Sequence, residues 1–393
     1  MVEVIDIDGF PVSIRGDSFE TLIWLDGEGP ELAAGLEERL EADAVLVHEA
    51  GGRRMIEVQA RRFAKDEELS GLSGVRTVRR LTPVLPVLSR RGTSVPFTTC
   101  GEMLRFDQGR NTPLWMLAVE YETARGGLAG QEVLSRMGDI VRVLRRSIAG
   151  GLCGTRYDDR ILGCQSPRFQ EIMKAGRLLD GGSLNRIVLY VTAMMEVKSS
   201  MGVIVAAPTA GACAALPGSV IAVAEEMGLD EEAMARALLA AGLVGVFIAA
   251  RWTFAAEAGG CQAECGSASA MAAAALVTLA DGTLAEAVVA ASMSLQNMLG
   301  LICDPVANRV EVPCLGKNVM AAGNALTCAN MALAGYDQVI PLDEVIESAA
   351  RVSCQMPSQL RCTALGGLSL TPTSQRLESL LAARSPGPDE SGG

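Results

Sequence analysis

Residues 199–224 carry no charged side chain, and nothing else in this sequence limits its fold so severely. At 1.5 Å per residue such a run is long enough to cross a bilayer. Its composition argues otherwise, because Pro208 and Pro217 interrupt it and most of its residues are Ala, Gly, Ser and Thr. The next apolar runs, 237–250 and 265–280, fall short of the ~18–20 residues that a span requires. These runs therefore predict buried helices of a large water-soluble core and no membrane domain. A chain of 393 residues should divide into two or three domains, at roughly 100–200 residues each.

Charge and rare residues narrow the functional classes. The net charge of −12, from 34 basic and 46 acidic side chains, argues against nucleic acid or an anionic membrane as the main partner, since both favour a basic surface. A small or zwitterionic ligand fits better. The single histidine, His48, excludes a multi-histidine metal site and leaves little room for an imidazole base. The 11 cysteines are an odd number scattered through apolar surroundings, unlike the disulfide framework of a small secreted domain. The opening MVEVIDIDGF has neither a basic n-region nor an apolar h-region, so no signal peptide is expected. A reducing cytoplasm is the expected location.

Periodicity divides the chain unequally. Strands are predicted at 2–8 and 12–15 around Gly9-Phe10-Pro11, then at 21–25. A helix is predicted over 30–40, where Leu32, Leu36 and Leu40 share a face. Strands at 44–47 and 54–60 flank Gly51-Gly52, followed by a helix at 66–72 and a strand at 75–81. After the opening hairpin the order is β-α-β-β-α-β, a split βαβ unit, assigned to residues 1–85. The proline-rich stretch from 82 leads into a linker at 86–98. Residues 99–380 read as all-α: helices at 131–148 and 183–197, Asp230 capping 231–250, and a Thr283/Glu286 capping box before 284–301. Further helices run from 316 to 333, ending at Gly335, and from 343 to 354. A polar tail at 381–393 reads as disordered. The sequence contains no phosphate-binding loop, dinucleotide fingerprint or internal repeat.

Three cysteines stand apart by their neighbours. Cys261 follows Gly259-Gly260, where the backbone can approach another group closely. Cys303 is placed at the close of the 284–301 helix, just before Asp304-Pro305 turns the chain away. Cys314 follows Val312-Pro313 and opens the next helix, whose dipole favours a thiolate and the negative charge of a metal cluster. A free cysteine is otherwise a small buried hydrophobe, the reading adopted for Cys153, Cys164, Cys213, Cys328, Cys354 and Cys362. Spacing alone leaves both readings open for the trio.

The segments SSMGVIVAAPTAGACAALPG, GGCQAECGSASAMAAAALV, LGLICDPVANRVEVPCLGKN and MPSQLRCTALGGLSLTPT resemble the α subunit of iron–sulfur-dependent L-serine dehydratases. The phrases IDGFPVSI and LSGVRTVRRL resemble the ACT-like domain of that family's β subunit. The combined fold implied is multidomain: a small α+β ACT-like domain followed by a large all-α cluster domain. The resemblance implies a [4Fe–4S] cluster on Cys261, Cys303 and Cys314, with Cys265 a competing ligand. A cubane normally takes four cysteines, so three would leave an iron open as a Lewis acid. The implied reaction is β-elimination from L-serine or a related L-amino acid through aminoacrylate, giving a keto acid and ammonia. Lys198, where the chain departs from the family pattern, and Ser200, which matches a polar position of it, are the candidate catalytic residues. Thr209, Gly211 and Asn318 are the implied substrate-binding residues, with the N–H groups of the Gly211 loop offered to an anion.

The same resemblance marks departures. Family α chains usually read Asn-Ala-Ser-Met-Gly where this chain has Lys198-Ser199-Ser200-Met201-Gly202. Lys198 is either a new base or carboxylate clamp, or a solvated substitution. The histidine-bearing β catalytic domain of the family is absent and His48 reads as structural, so a separate β-type partner and a homo- or hetero-oligomer are expected. Two alternatives stand beside this: a desulfidase-like lyase releasing sulfide, and a non-catalytic subunit that senses amino acids or carries a cluster.

Overall fold

The computed structural model describes residues 2–7, 10–15, 19–26, 35–50, 52–70, 72, 74–81 and 93–383. Contacts divide the chain into two units, Met1–Ser94 and Val95–Gly393.

In the first unit, β1 (Val2–Ile7) pairs antiparallel with β2 (Phe10–Arg15) in the register Ile7 to Phe10. Phe10 and Pro11, predicted in the turn, thus belong to a strand. The chain continues through β3 (Phe19–Leu25), α1 (Leu36–Leu40), β4 (Ala42–Ala50), β5 (Arg53–Ala60), α2 (Asp66–Leu69) and β6 (Val75–Leu81). The sheet order is β4-β5-β3-β6 with every pairing antiparallel, the predicted split βαβ arrangement. Side chains alternate across a strand, so Ile23, Ile56 and Val58 pack with Leu36, Leu40 and Leu69. Leu22, Trp24 and Met55 lie beneath Phe10 and Val12. With apolar cover on both faces, β3 is buried along nearly its whole length. His48 Nε2 lies 2.7 Å from Glu57 Oε2, and Gln59 Nε2 donates to Glu57 Oε1 at 2.7 Å. Residues 30–34 of the predicted first helix and 86–92 of the predicted linker fall outside the described residues.

The second unit is helical, with no strand among its described residues. Its helices are α3 (Cys100–Asp107), α4 (Leu114–Gly126), α5 (Gly130–Leu152), α6 (Ser166–Lys174), α7 (Ser183–Ser199), α8 (Ala215–Glu226) and α9 (Glu231–Arg251). They continue with α10 (Ala256–Gly259), α11 (Ser267–Leu279), α12 (Leu284–Gln296), α13 (Cys314–Leu333), α14 (Leu342–Gln355) and α15 (Pro372–Ala382). The alanine-rich α11 is the hub, packed on α8, α9, α12 and α13. Small side chains there let helix axes approach closely. Some polar atoms in this core are paired across helices: Ser269 Oγ donates to Ala321 O at 2.6 Å, and Asn324 Nδ2 to Ser294 O at 2.9 Å, whereas the buried Ser267 Oγ has no hydrogen-bond partner.

Asp230 and Thr283 cap their helices as predicted, accepting from the N–H groups of Ala233 and Glu286. Helix α9 is longer than its apolar run. It is long and apolar enough to cross a membrane, but 67% of its most apolar window is buried inside the structure. Several boundaries differ from expectation, β4, α5 and α13 being longer and α2 shorter than predicted, and three differences bear on the domains. Phe97, predicted in the linker, is buried 5.3 Å from the Phe106 ring and belongs to the helical core. Helix α12 stops at Gln296 and not at 301, because the chain turns out through Gly300 at φ +82°. Helix α15 runs to Ala382 with Leu381 buried, while residues 384–393 fall outside the described residues.

Candidate metal and substrate site

Cys261 is presented by a tight break between α10 and α11. Gly260 has φ +70°, and a Cβ there would sit 2.8 Å from Met356 Sδ and 2.9 Å from Leu301 O, so only glycine fits. A turn of π-helix, Gln262–Gly266, follows; such wide turns recur at functional sites. The fully buried Gln262 side chain anchors it, donating to Ser353 Oγ at 3.0 Å and accepting from Gly300 N at 2.8 Å. The turn leaves the Cys265 thiol buried four residues beyond Cys261, close enough to shift its titration.

Cys303 does not end a helix. Its segment is held by a bridge to Arg361: Cys303 N donates to Leu360 O at 2.8 Å, and Cys362 N to Cys303 O at 2.9 Å. The Cys303 thiol contacts both Cys261 and Cys362. Cys362, read from the sequence as an inert core residue, is therefore half-buried beside the predicted ligands. Local sequence could not show this, because the bridge joins segments far apart in the chain.

The electrostatics follow from this crowding. Hydrogen bonds from Cys265 and Cys303, aided by the Lys317 charge, hold the Cys261 thiol well below its ordinary range despite burial. The same contacts push Cys265 and Cys303 up. Cys314 is the first residue of α13, as predicted, but burial pushes its thiol up to about 12. Desolvation outweighs the helix dipole there, so ionisation requires a cation. Lys317, unremarked in the sequence, donates to Ile302 O at 2.6 Å and Asp304 Oδ1 at 2.7 Å, with Cys261 Sγ 3.9 Å away.

Glu264 was also missed, although it stands inside the GGCQAECGS phrase. Burial pushes its carboxyl up to about 7, opposed by a 2.8 Å hydrogen bond from Thr209 Oγ1. Ligand atoms of Cys261, Glu264 and Cys303 all lie within 4.8 Å of one another, close enough to hold a metal ion. Gly211 is needed beside them, since a Cβ there would meet the Glu264 carboxylate at 2.8 Å.

The other predicted residues join this network unequally. Asn318 is fully buried and donates to Cys314 O and Gly211 O, both at 2.9 Å, tying the Gly211 loop to the start of α13. Two N–H groups here are already engaged: Ala212 N donates to Thr209 Oγ1 at 3.1 Å and Ala215 N to Asn318 Oδ1 at 3.2 Å. Ser200 closes α7 by donating to Val197 O at 2.9 Å. Lys198 donates to Val310 O and, with Gly211, Tyr157 and Glu311, lines an open cleft of about 200 Å³. Burial lowers its ammonium, while Cys213, Cys314 and Glu311 oppose that shift.

A buried set of thiols beside one carboxyl and no imidazole is the donor set of a thiolate-rich metal site. Residues 104–369 match the family model described as serine dehydratase alpha chain, and the chain belongs to that family. It is 40% identical over 263 residues to the probable L-serine dehydratase alpha chain of Bacillus subtilis, covering 67% of this chain and 87% of that one. Against the L-serine dehydratase alpha chain of Peptoniphilus asaccharolyticus the identity is 35% over 280 residues, covering 71% and 96%. The L-serine dehydratase of Streptomyces coelicolor is 33% identical over 282 residues, 70% of this chain but 61% of that protein.

Proposed function

We propose that this chain is the cluster-bearing subunit of an L-serine dehydratase in a reducing cytoplasm, holding a [4Fe–4S] cluster on Cys261, Cys303 and Cys314. The observation that carries this is the convergence of Cys261, Cys303 and Glu264 atoms within 4.8 Å in a member of the serine dehydratase alpha chain family. The donor chemistry fits: thiolates suit iron–sulfur clusters, and thiols that burial holds protonated, such as Cys314, ionise readily only against a cation. When bound, the cluster supplies an electron-accepting iron toward the substrate carboxylate and β-hydroxyl.

The chain's own residues supply the rest. Lys198, at the cleft, is suited to the carboxylate of L-serine or a related β-substituted L-amino acid. Glu264, which ionises near neutral pH, can hold or take a proton at its carboxylate, and Thr209 fixes its direction. Asn318 and Gly211 keep the loop, the α13 start and Glu264 in register. Ser200 sets the end of α7 two residues beyond Lys198. Loss of the Cα proton and the β-hydroxyl gives an enamine that hydrolyses to a keto acid and ammonia.

A β-type partner subunit belongs to this reading. Two relatives are named alpha chains, and the Streptomyces coelicolor protein extends well beyond the matched region. We read the split βαβ unit of Met1–Ser94 as ACT-like, on its strand order β4-β5-β3-β6. Anaerobic assay of keto acid from L-serine, with and without a β-type chain, tests the proposal. Serine-dependent keto acid formation that rises with the partner is expected, and full activity from the lone chain would remove the partner.

A further inference from the structure

Cys362 lies just beyond the 3-10 turn Ser358–Leu360, in the left-handed conformation at φ +60°. A residue other than glycine seldom takes that conformation, and where it does the site is often functional. Its loop is fastened to Cys303 from both sides by the hydrogen bonds Cys303 N to Leu360 O, 2.8 Å, and Cys362 N to Cys303 O, 2.9 Å. The Cys362 side chain packs against the buried cluster that holds Cys261 and Cys303. The bridge pairs Cys303 with Arg361, which makes Cys362, the next residue, a backbone neighbour of Cys303; a disulfide spans Cα separations of about 4.4–6.8 Å. Access is unequal: Cys303 is 3% exposed, whereas Cys362 is half-buried and is followed by the exposed Leu365.

We propose that Cys303 and Cys362 form a reversible disulfide in the cluster-free chain, with a peroxide as oxidant. The Cys362 thiolate attacks one peroxide oxygen, giving a sulfenic acid and hydroxide. The Cys303 thiolate then attacks that sulfur, forming the S–S bond as the S–O bond breaks and a second hydroxide leaves. The two protons given up by the thiols convert both hydroxides to water, so two thiols and one hydrogen peroxide become one disulfide and two waters. The bond withdraws Cys303 from the metal site and shields it from irreversible oxidation to sulfinic acid. Its consequence for iron uptake rests on the reading of Cys303 as a cluster ligand; the disulfide itself does not.

The test strips the full chain of iron anaerobically, adds one equivalent of hydrogen peroxide, and maps peptides without reduction. A Cys303–Cys362 linked peptide is expected, with a fall of two among the eleven free thiols. Iron uptake is then lost and returns on adding dithiothreitol. Cys362→Ser, with its fold checked by circular dichroism, forms no linked peptide. With peroxide raised to several equivalents, its Cys303 goes on through sulfenic to sulfinic acid at the cost of two peroxides, so dithiothreitol no longer restores iron uptake. Cys354→Ser, at an exposed cysteine in the last turn of α14, behaves as the native chain. A free Cys362 after peroxide, or Cys303 linked instead to Cys261, overturns the proposal. If the linked peptide forms but the reduced chain takes up no iron, the cluster reading fails and the disulfide stands.

Discussion

Each unit buries charge, and the contrast between them separates structure from chemistry. In the sheet unit, fully buried Glu57 meets His48 and Gln59, complementary partners at 2.7 Å each. No cysteine precedes Cys100 in the chain. In the helical unit, like meets like: Cys265, Cys261, Cys303 and Cys362 touch in succession, with Glu264 alongside. Among the described residues, Lys317, paired with Asp304, is the cation whose charge lies beside Cys261. A buried polar group with its complement closes a fold. Crowded acidic groups instead cost stability until a cation arrives, which is the arrangement expected of a metal site.

The sharpest break in that contrast comes from the ligands. Cys303→Ala should weaken iron retention by more than about 100-fold, since even residues outside the ligand shell cost about 10–100-fold; iron assay after gel filtration reads it. Lys317→Met strands Asp304 against Leu368 N alone. It should cost about 3 kcal/mol in denaturant unfolding, the penalty of halving a buried pair, and Lys317→Arg should recover part of it.

Glu264→Gln sharpens the contrast through pH. A carboxyl raised from 4.5 to about 7 in the fold binds its proton more tightly folded than unfolded. Its contribution is therefore fully present below about pH 4.5 and is lost as pH rises through about 7. The iron-free wild type should lose on the order of 2 kcal/mol relative to Glu264→Gln between those limits. Parallel unfolding curves for the two proteins would remove the buried acid from the account. The smallest effect belongs to the sheet unit. His48→Ala should cost about 1 kcal/mol, one side-chain hydrogen bond, with iron content unchanged.

Much of the fold was legible in the sequence because local rules set it. Strand β6 falls on its predicted bounds, Thr283 and Asp230 cap as their residue types dictate, and the order of strands and helices gives the sheet topology. The site was legible only where one segment carries the signal, as at Gly260-Cys261 and Pro313-Cys314. Cys303 was misplaced because the positive φ at Gly300 ends α12 early. Cys362, Lys317 and Glu264 were missed because their roles come from distant partners: the bridge to Cys303, the Ile302 carbonyl, and the Thr209 hydroxyl. The apolar length of α9 likewise does not reveal that its neighbours cover it.

The most direct measurement is iron and acid-labile sulfide in the chain purified without oxygen, read beside its Mössbauer spectrum. The account predicts a brown protein with about four irons per chain, lost in Cys261→Ala, Cys303→Ala and Cys314→Ala and kept in His48→Ala. A colourless, iron-free chain, or iron unchanged by all three cysteine substitutions, would contradict it.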